Sequence, residues 1–165
     1  MNDIERLIAI EEIKQLKARY FRCMDTKDWD GMEGVFAPDA ELDSRAAMFA
    51  RNAAGECIQS GQVVNAADVS DEAWRVYGAA NIRKSLESTV DPITTVHHGH
   101  MPEIDVTSPT TARGLWAMED VLRYPPGHAL KTLIGHGHYH ETYERIDGRW
   151  FIKTLKLTRL RVDVT

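Results

Sequence analysis

At 165 residues, 43% hydrophobic and 27% charged, the chain suits one domain, residues 1–165, with a substantial core. A net charge of −5 argues against a nucleic-acid-binding stripe or an anionic membrane surface as partner. The two cysteines, Cys23 and Cys57, match no metal-ligand or Cys-x-x-Cys spacing, and no stretch reads as a signal peptide or reaches the roughly 18 apolar residues of a membrane span; the expectation is a cytoplasmic protein without disulfides.

The first element is a helix. Asp3 reads as its N-cap. From Ile4 the apolar residues Ile4, Leu7, Ile8, Ile10, Ile13, Leu16, Tyr20, Phe21 and Met24 recur near helical spacing up to about Thr26. Residues 28–36 read as a second, short helix weakened by Gly31 and Gly34 and stopped at Pro38-Asp39. Ala40 to Asp43 reads as a short edge strand. Residues 44–71 have no sustained period and read as a long flap, with one strand possible at 57–64. Gly78 to Glu87 is helical, with Ile82 and Leu86 one turn apart.

The second half reads as strands: Thr94 to Val106, Thr110 to Tyr124, Leu130 to Ile146, and Arg149 to Arg161. Ser108-Pro109 and Pro125-Pro126-Gly127 mark turns, and Asp147-Gly148 signals a hairpin. Gly135 and Gly137 suggest a bulge that bends the sheet. Trp116, Tyr124 and Trp150 are expected in the sheet core. Helices followed by a long antiparallel meander argue for an α+β fold. A curved antiparallel sheet would wrap about three helices as a cone with an apolar pocket at its mouth.

Three residues suggest chemistry. Tyr20 and Asp25 lie near the end of the first helix, and His97 opens the strand-rich half. A hydroxyl, a carboxylate and an imidazole converging on one pocket suit proton transfer to or from a small apolar substrate. Taken singly each has a plainer reading: Tyr20 as core, Asp25 as the cap of a turn, and His97 as a hydrogen-bonded structural histidine. Arg159, a fourth candidate, reads alone as a solvated strand cation. Geometry also strains the set, because five helical residues place Tyr20 and Asp25 about 140° apart around the axis.

The histidines offer a competing reading. His136, His138 and His140 alternate and so share one strand face. With His97 or His100 across the sheet they could ligate a divalent metal, since imidazole suits Zn, Cu, Fe and Ni. The other face carries Tyr139, Glu141 and Tyr143. Sequence alone leaves open which face lines the cone.

The chain resembles the SnoaL-like branch of the cystatin-like α+β cone superfamily, also called nuclear transport factor 2-like. Four stretches carry the resemblance: Tyr20-Phe21-Arg22-Cys23-Met24-Asp25 with Trp29-Asp30; Gly99-His100-Met101-Pro102-Glu103-Ile104; Glu119-Asp120; and the hairpin Tyr143 to Trp150. Within the branch these motifs are most similar to bile acid 7α-dehydratases, and more distantly to scytalone dehydratases and hexachlorocyclohexane dehydrochlorinases. The resemblance implies elimination without metal or organic cofactor, with Tyr20, Asp25, His97 and Arg159 in the catalytic places. It also implies a homodimer or homotrimer. His100, Asp120, His138 and Tyr139 are expected to help bind substrate.

The resulting expectation is a cofactor-independent lyase (dehydratase) or isomerase. Its substrate would be a hydrophobic hydroxy-enone such as a steroid or polyketide. His97 would move the proton, Asp25 would orient it, and Tyr20 and Arg159 would engage oxygen atoms. Because the same cone also hosts non-catalytic modules, the alternative is a ligand-binding or assembly subunit.

Overall fold

The computed structural model describes residues 1–47 and 74–165. The expected flap, its possible strand at 57–64 and Cys57 lie wholly or largely outside the described residues. Helix α1 spans Asp3–Thr26. Its N-cap is Asn2, one residue earlier than expected, in a reciprocal capping box. The Asn2 side chain accepts from the Glu5 amide at 2.9 Å, and the Glu5 carboxylate accepts from the Asn2 amide at 2.8 Å. The buried stripe begins only at Ala9 and runs through Ile13, Leu16, Lys17, Tyr20, Cys23 and Met24. Ile4, Leu7 and Ile8, apolar and correctly spaced, are exposed.

The second helix is shorter than its pattern. Helix α2 covers only Trp29–Met32, capped by the Asp28 side chain, which accepts from the Gly31 amide at 2.9 Å. A side chain at Gly31 would run into that same carboxylate, so the residue that serves the cap is also one that weakens the helix. The chain is already extended at Phe36. Strand β1, Phe36–Asp43, contains Pro38 rather than beginning after it at Ala40. Pro38 is accommodated because pairing with the last strand is irregular between Phe36 and Glu41, where no ladder donor is needed.

A 3-10 turn at Arg45–Ala47 follows, then β2 at Arg75–Tyr77, helix α3 at Ala79–Val90, β3 at Thr94–Gly99 and β4 at Glu103–Ser108. The long strands are β5 at Thr111–Arg123, β6 at Thr132–Ile146 and β7 at Arg149–Val164. The sheet order is β2-β1-β7-β6-β5-β3, with β4 also on β5. Two sequence expectations change. The segment read as one strand, Thr94 to Val106, breaks at His100-Met101-Pro102, and its halves pair with opposite ends of β5. Strand β1 is no edge: it lies between β2 and β7 and runs parallel to β7, so the sheet is mixed rather than wholly antiparallel.

The β6–β7 turn is as expected, with Asp147 and Gly148 both at positive φ, 49° and 80°. These are the left-handed conformations that a two-residue hairpin turn requires. The register slips at His136/Gly137, and a Cβ on Gly137 would strike the Thr158 carbonyl. The sheet thus curls, without closing, around the buried face of α1. Its inner face and α1 share one core, with Ile13, Leu16, Met24, Phe36, Trp116, Ile152 and Leu155 all buried. Trp116 and Trp150 belong to this core as expected; Tyr124 does not, and appears below as a cavity wall.

Candidate active site

The C-terminal end of α1 approaches β3, and there the two pieces of the sequence motif meet. His97 Nδ1 lies 2.7 Å from Asp25 Oδ1, and the His97 backbone amide donates to Oδ2 at 2.9 Å. The Thr95 hydroxyl donates to Oδ1 at 2.8 Å. Burial by itself would raise the Asp25 carboxyl. The hydrogen bonds and charge from His97, with the bond from Thr95, outweigh it and hold the group below the usual carboxylate range. An ionised Asp25 makes Nδ1 the donor, which assigns the imidazole tautomer with its proton on that side. Nε2 has no protein partner among the described residues. Phe21 stacks on the ring at 6.3 Å and 14°, and Gly99 is needed there because a side chain on it would collide with Phe21.

His97 faces a cavity of about 260 Å³ between the curled sheet, α1 and α3. One end is polar, formed by Tyr20, His97, Asp120, Tyr139 and Arg159, with Tyr124 nearby. The rest is mostly apolar, with Met24, Leu42, Val76, Leu86, Leu133 and Leu157 among its walls.

The 140° separation of Tyr20 and Asp25 costs the site nothing, because the two residues serve different neighbours. The ring of Tyr20 points inward, edge-on to Phe36 and Tyr139 at 5.9 and 6.1 Å. Asp25 points sideways to β3 and stands behind His97 rather than in the cavity wall. Burial, reinforced by the negative charge of Glu141, drives the Tyr20 phenol well above its ordinary range; a hydrogen bond from Tyr139 offsets part of this. Burial does the same to Tyr139. Both therefore stay protonated and can donate to a ligand oxygen.

Arg159 is present at the site, in a different electrostatic state from the free cation expected. Its guanidinium grips Asp120 with two bonds, 2.8 and 2.7 Å, in a buried fork. Burial alone would depress it, but the Asp120 charge and bonds keep it above its ordinary value. Gly135 makes the pair possible: a Cβ there would overlap both the guanidinium and the Asp120 carboxylate. Since Asp120 neutralises the charge, Arg159 offers donors rather than a net positive site for a carboxylate. Its Nε is buried without a hydrogen-bond partner among the described residues.

Two expected substrate contacts are corrected. His138 lies on the outer face of β6, because Leu133, Gly135, Gly137, Tyr139, Glu141 and Tyr143 occupy the buried inner positions. His100 falls past the end of β3, exposed, with its amide bonded to the Ala117 carbonyl at 2.8 Å. Neither lines the cavity. The histidine-metal alternative loses its geometry for the same reason. His136, His138 and His140 face outward and His97 inward, and His140 Nε2 meets Thr158 at 3.0 Å. Among the described residues no group of three or more His, Cys, Asp and Glu is placed to hold a metal ion.

One cluster was missed by the sequence reading. Lys17 and Glu141 form a fully buried ion pair at 2.5 Å. Glu141 also accepts from the Tyr143 hydroxyl, which in turn accepts from Trp116 Nε1 at 2.8 Å. The Lys17 ammonium sits over the rings of Tyr139, Tyr20 and Phe21 at 3.6, 4.2 and 4.8 Å. Desolvation pulls Lys17 below its ordinary value, opposed by Glu141. The signal was available: Lys17 stands within the spacing Ile13, Lys17, Tyr20, Met24, a row that is otherwise apolar or aromatic.

The profile of the SnoaL-like domain matches residues 5–156, and the chain belongs to that family. A protein of Gibberella zeae named as a probable cyclase is 24% identical over 148 residues, covering 90% of this chain and 89% of its own length. Among solved structures, a candidate scytalone dehydratase from Novosphingobium aromaticivorans superposes with a TM-score of 0.75 at 19% identity, over 99% of this chain and 92% of that one. A hexachlorocyclohexane dehydrochlorinase of Novosphingobium barchaimii gives 0.75 at 15% identity, over 99% and 94%. At these identities the structural likeness shows a shared fold.

Proposed function

We propose that this SnoaL-like protein is a cofactor-independent lyase that eliminates water from a neutral, apolar hydroxy-ketone. The observation that carries the reading is the His97 imidazole, braced by Asp25 through Nδ1 and lining a largely apolar cavity. In the proposed reaction Nε2 takes a proton from the carbon next to the hydroxyl-bearing one, a position α to the carbonyl in a simple hydroxy-ketone and its vinylogous γ position in a hydroxy-enone. The C–H electron pair moves into an enolate, and Tyr20, kept protonated by burial, donates to its oxygen. The enolate then re-forms the carbonyl, the new carbon-carbon double bond takes the electron pair, and the C–O bond breaks. The imidazolium returns its proton to the departing hydroxyl, which leaves as water. Asp25 balances the transient imidazolium charge. The elimination chemistry named for the dehydratase and dehydrochlorinase relatives supports this choice.

The apolar walls favour ring carbons over a charged substrate, and the neutralised Arg159 gives a carboxylate no compensation. A hydroxy-enone of steroid or polyketide type fits these preferences. The test is an ultraviolet assay with a 7-hydroxy-4-en-3-one steroid, in which loss of water extends conjugation and shifts absorbance to longer wavelength. A shift with the native protein that disappears in His97→Ala supports the dehydratase. Tight binding with no shift, in native protein shown to be folded, would overturn it in favour of a binding module.

A further inference from the structure

The dyad needs only Asp25 and His97, yet the carboxylate is held by a third group with its own support. Thr95 is buried in β3, and its hydroxyl donates to the same Asp25 oxygen that meets His97 Nδ1. A hydroxyl has one proton, so once it is directed to Asp25 the oxygen can only accept from others. It accepts from Lys27 Nζ at 3.2 Å.

Lys27 reaches this place by an uncommon backbone. As the C-cap of α1 it has φ 59° and ψ 31°, a left-handed conformation that glycine fills at lower cost. Its ammonium is partly desolvated, which pulls it below its ordinary value; the charges of Asp25 and Asp91 resist that pull. A fold selected for stability alone would favour glycine here. A lysine at this position puts a cation behind the dyad, on the side away from the cavity.

We propose that Lys27 and Thr95 are positioning residues that hold the Asp25 carboxylate in register with His97 and so fix the imidazole tautomer. The inference rests on the acid-base reading above. The groups facing the carboxylate are His97 and Thr95 from β3 and Lys27 beyond the end of α1. Phe21 packs on the imidazole, and Asp91, beyond α3, faces the ammonium. With Oδ1 shared by two donors and Oδ2 held by the His97 amide, loss of Thr95 or of its support removes one of the three ties on Asp25 and weakens the preference of His97 for a proton on Nδ1.

The test reads the ring nitrogens of His97 by NMR in the resting protein, with the signals assigned by their loss in His97→Ala. Three variants are compared: Thr95→Val, which keeps the branched shape; Lys27→Gly, which suits the left-handed backbone and so should fold; and Lys27→Arg, which keeps the charge. The native protein should show the Nδ1-protonated tautomer. Thr95→Val and Lys27→Gly should mix in the other tautomer and lower kcat about tenfold with little change in KM, the lower end of what outer partners of a functional histidine contribute. Lys27→Arg should restore both. An unchanged tautomer in Thr95→Val and Lys27→Gly, with thermal stability retained, would overturn the proposal. A native protein lacking the Nδ1-protonated form would instead sink the dyad reading beneath it.

Discussion

Two of the carboxylate–cation-type pairs near the cavity, Lys17–Glu141 and Asp25–His97, differ in what is left over. In Lys17–Glu141 every strong donor and acceptor is directed inward, to each other, to Tyr143 and to aromatic faces, and both side chains are fully buried. In Asp25–His97 one ring nitrogen is spent on the carboxylate and the other has no partner among the described residues. The first pair is absent from the cavity lining and ties α1 to β6. The second has its histidine in the cavity wall. A buried charge is thus a weak sign of chemistry by itself; an unspent valence at a cavity is a better one.

The sharpest way to break this contrast is at the dyad. Asp25→Asn should leave the fold intact and reduce turnover by roughly 10³–10⁴-fold, as removal of the orienting carboxylate does in a comparable acid-base set. Steady-state kinetics on any substrate found would check it, and unchanged turnover would make the pairing structural. The sealed pair should behave in the opposite way. Lys17→Met strands a buried carboxylate and should cost about 3–5 kcal/mol of stability. The double variant Lys17→Met/Glu141→Gln should regain most of that loss, measured by denaturant unfolding. If the double variant is as unstable as the single, charge pairing is not what Lys17 supplies.

A smaller effect is expected at the cavity's polar end. Gly135→Ala inserts a Cβ into the Arg159–Asp120 fork and should destabilise by about 1–3 kcal/mol, the usual cost of overpacking. Ligand affinity should fall with it, and a neutral result in melting and binding would mean that the fork can shift aside. Smallest is the pH effect. The folded-state Asp25 carboxyl lies below its unfolded value, so the dyad's contribution is present at neutral pH and down to about pH 4. It is lost as pH falls through the lower folded value. The stability gap between native protein and Asp25→Asn should therefore close only below about pH 4; a gap that persists unchanged below that pH would show that ionisation of the carboxylate is not what stabilises the dyad.

Local patterning determined much of this protein. The 3.6-residue period located α1 to within a residue, because side-chain periodicity follows directly from backbone geometry, and the turn signals at Ser108-Pro109, Pro125-Pro126-Gly127 and Asp147-Gly148 bracketed the bodies of β5, β6 and β7. The Asp147-Gly148 turn and the glycine bulge near Gly137 were also legible, since each depends on a conformation or a close approach that other residues resist. The motif residues Tyr20, Asp25 and His97 could be singled out on chemical type and resemblance. Pairings between distant segments had to come from the tertiary structure. Which face of β6 lines the cone, and so whether Tyr139 or His138 meets a ligand, depends on how the sheet lies over α1. The parallel seat of β1 beside β7, the match of Lys17 with Glu141 and the capture of Arg159 by Asp120 depend on strand order and register. These are set by burial of a shared core across long sequence separations, and no local period encodes them.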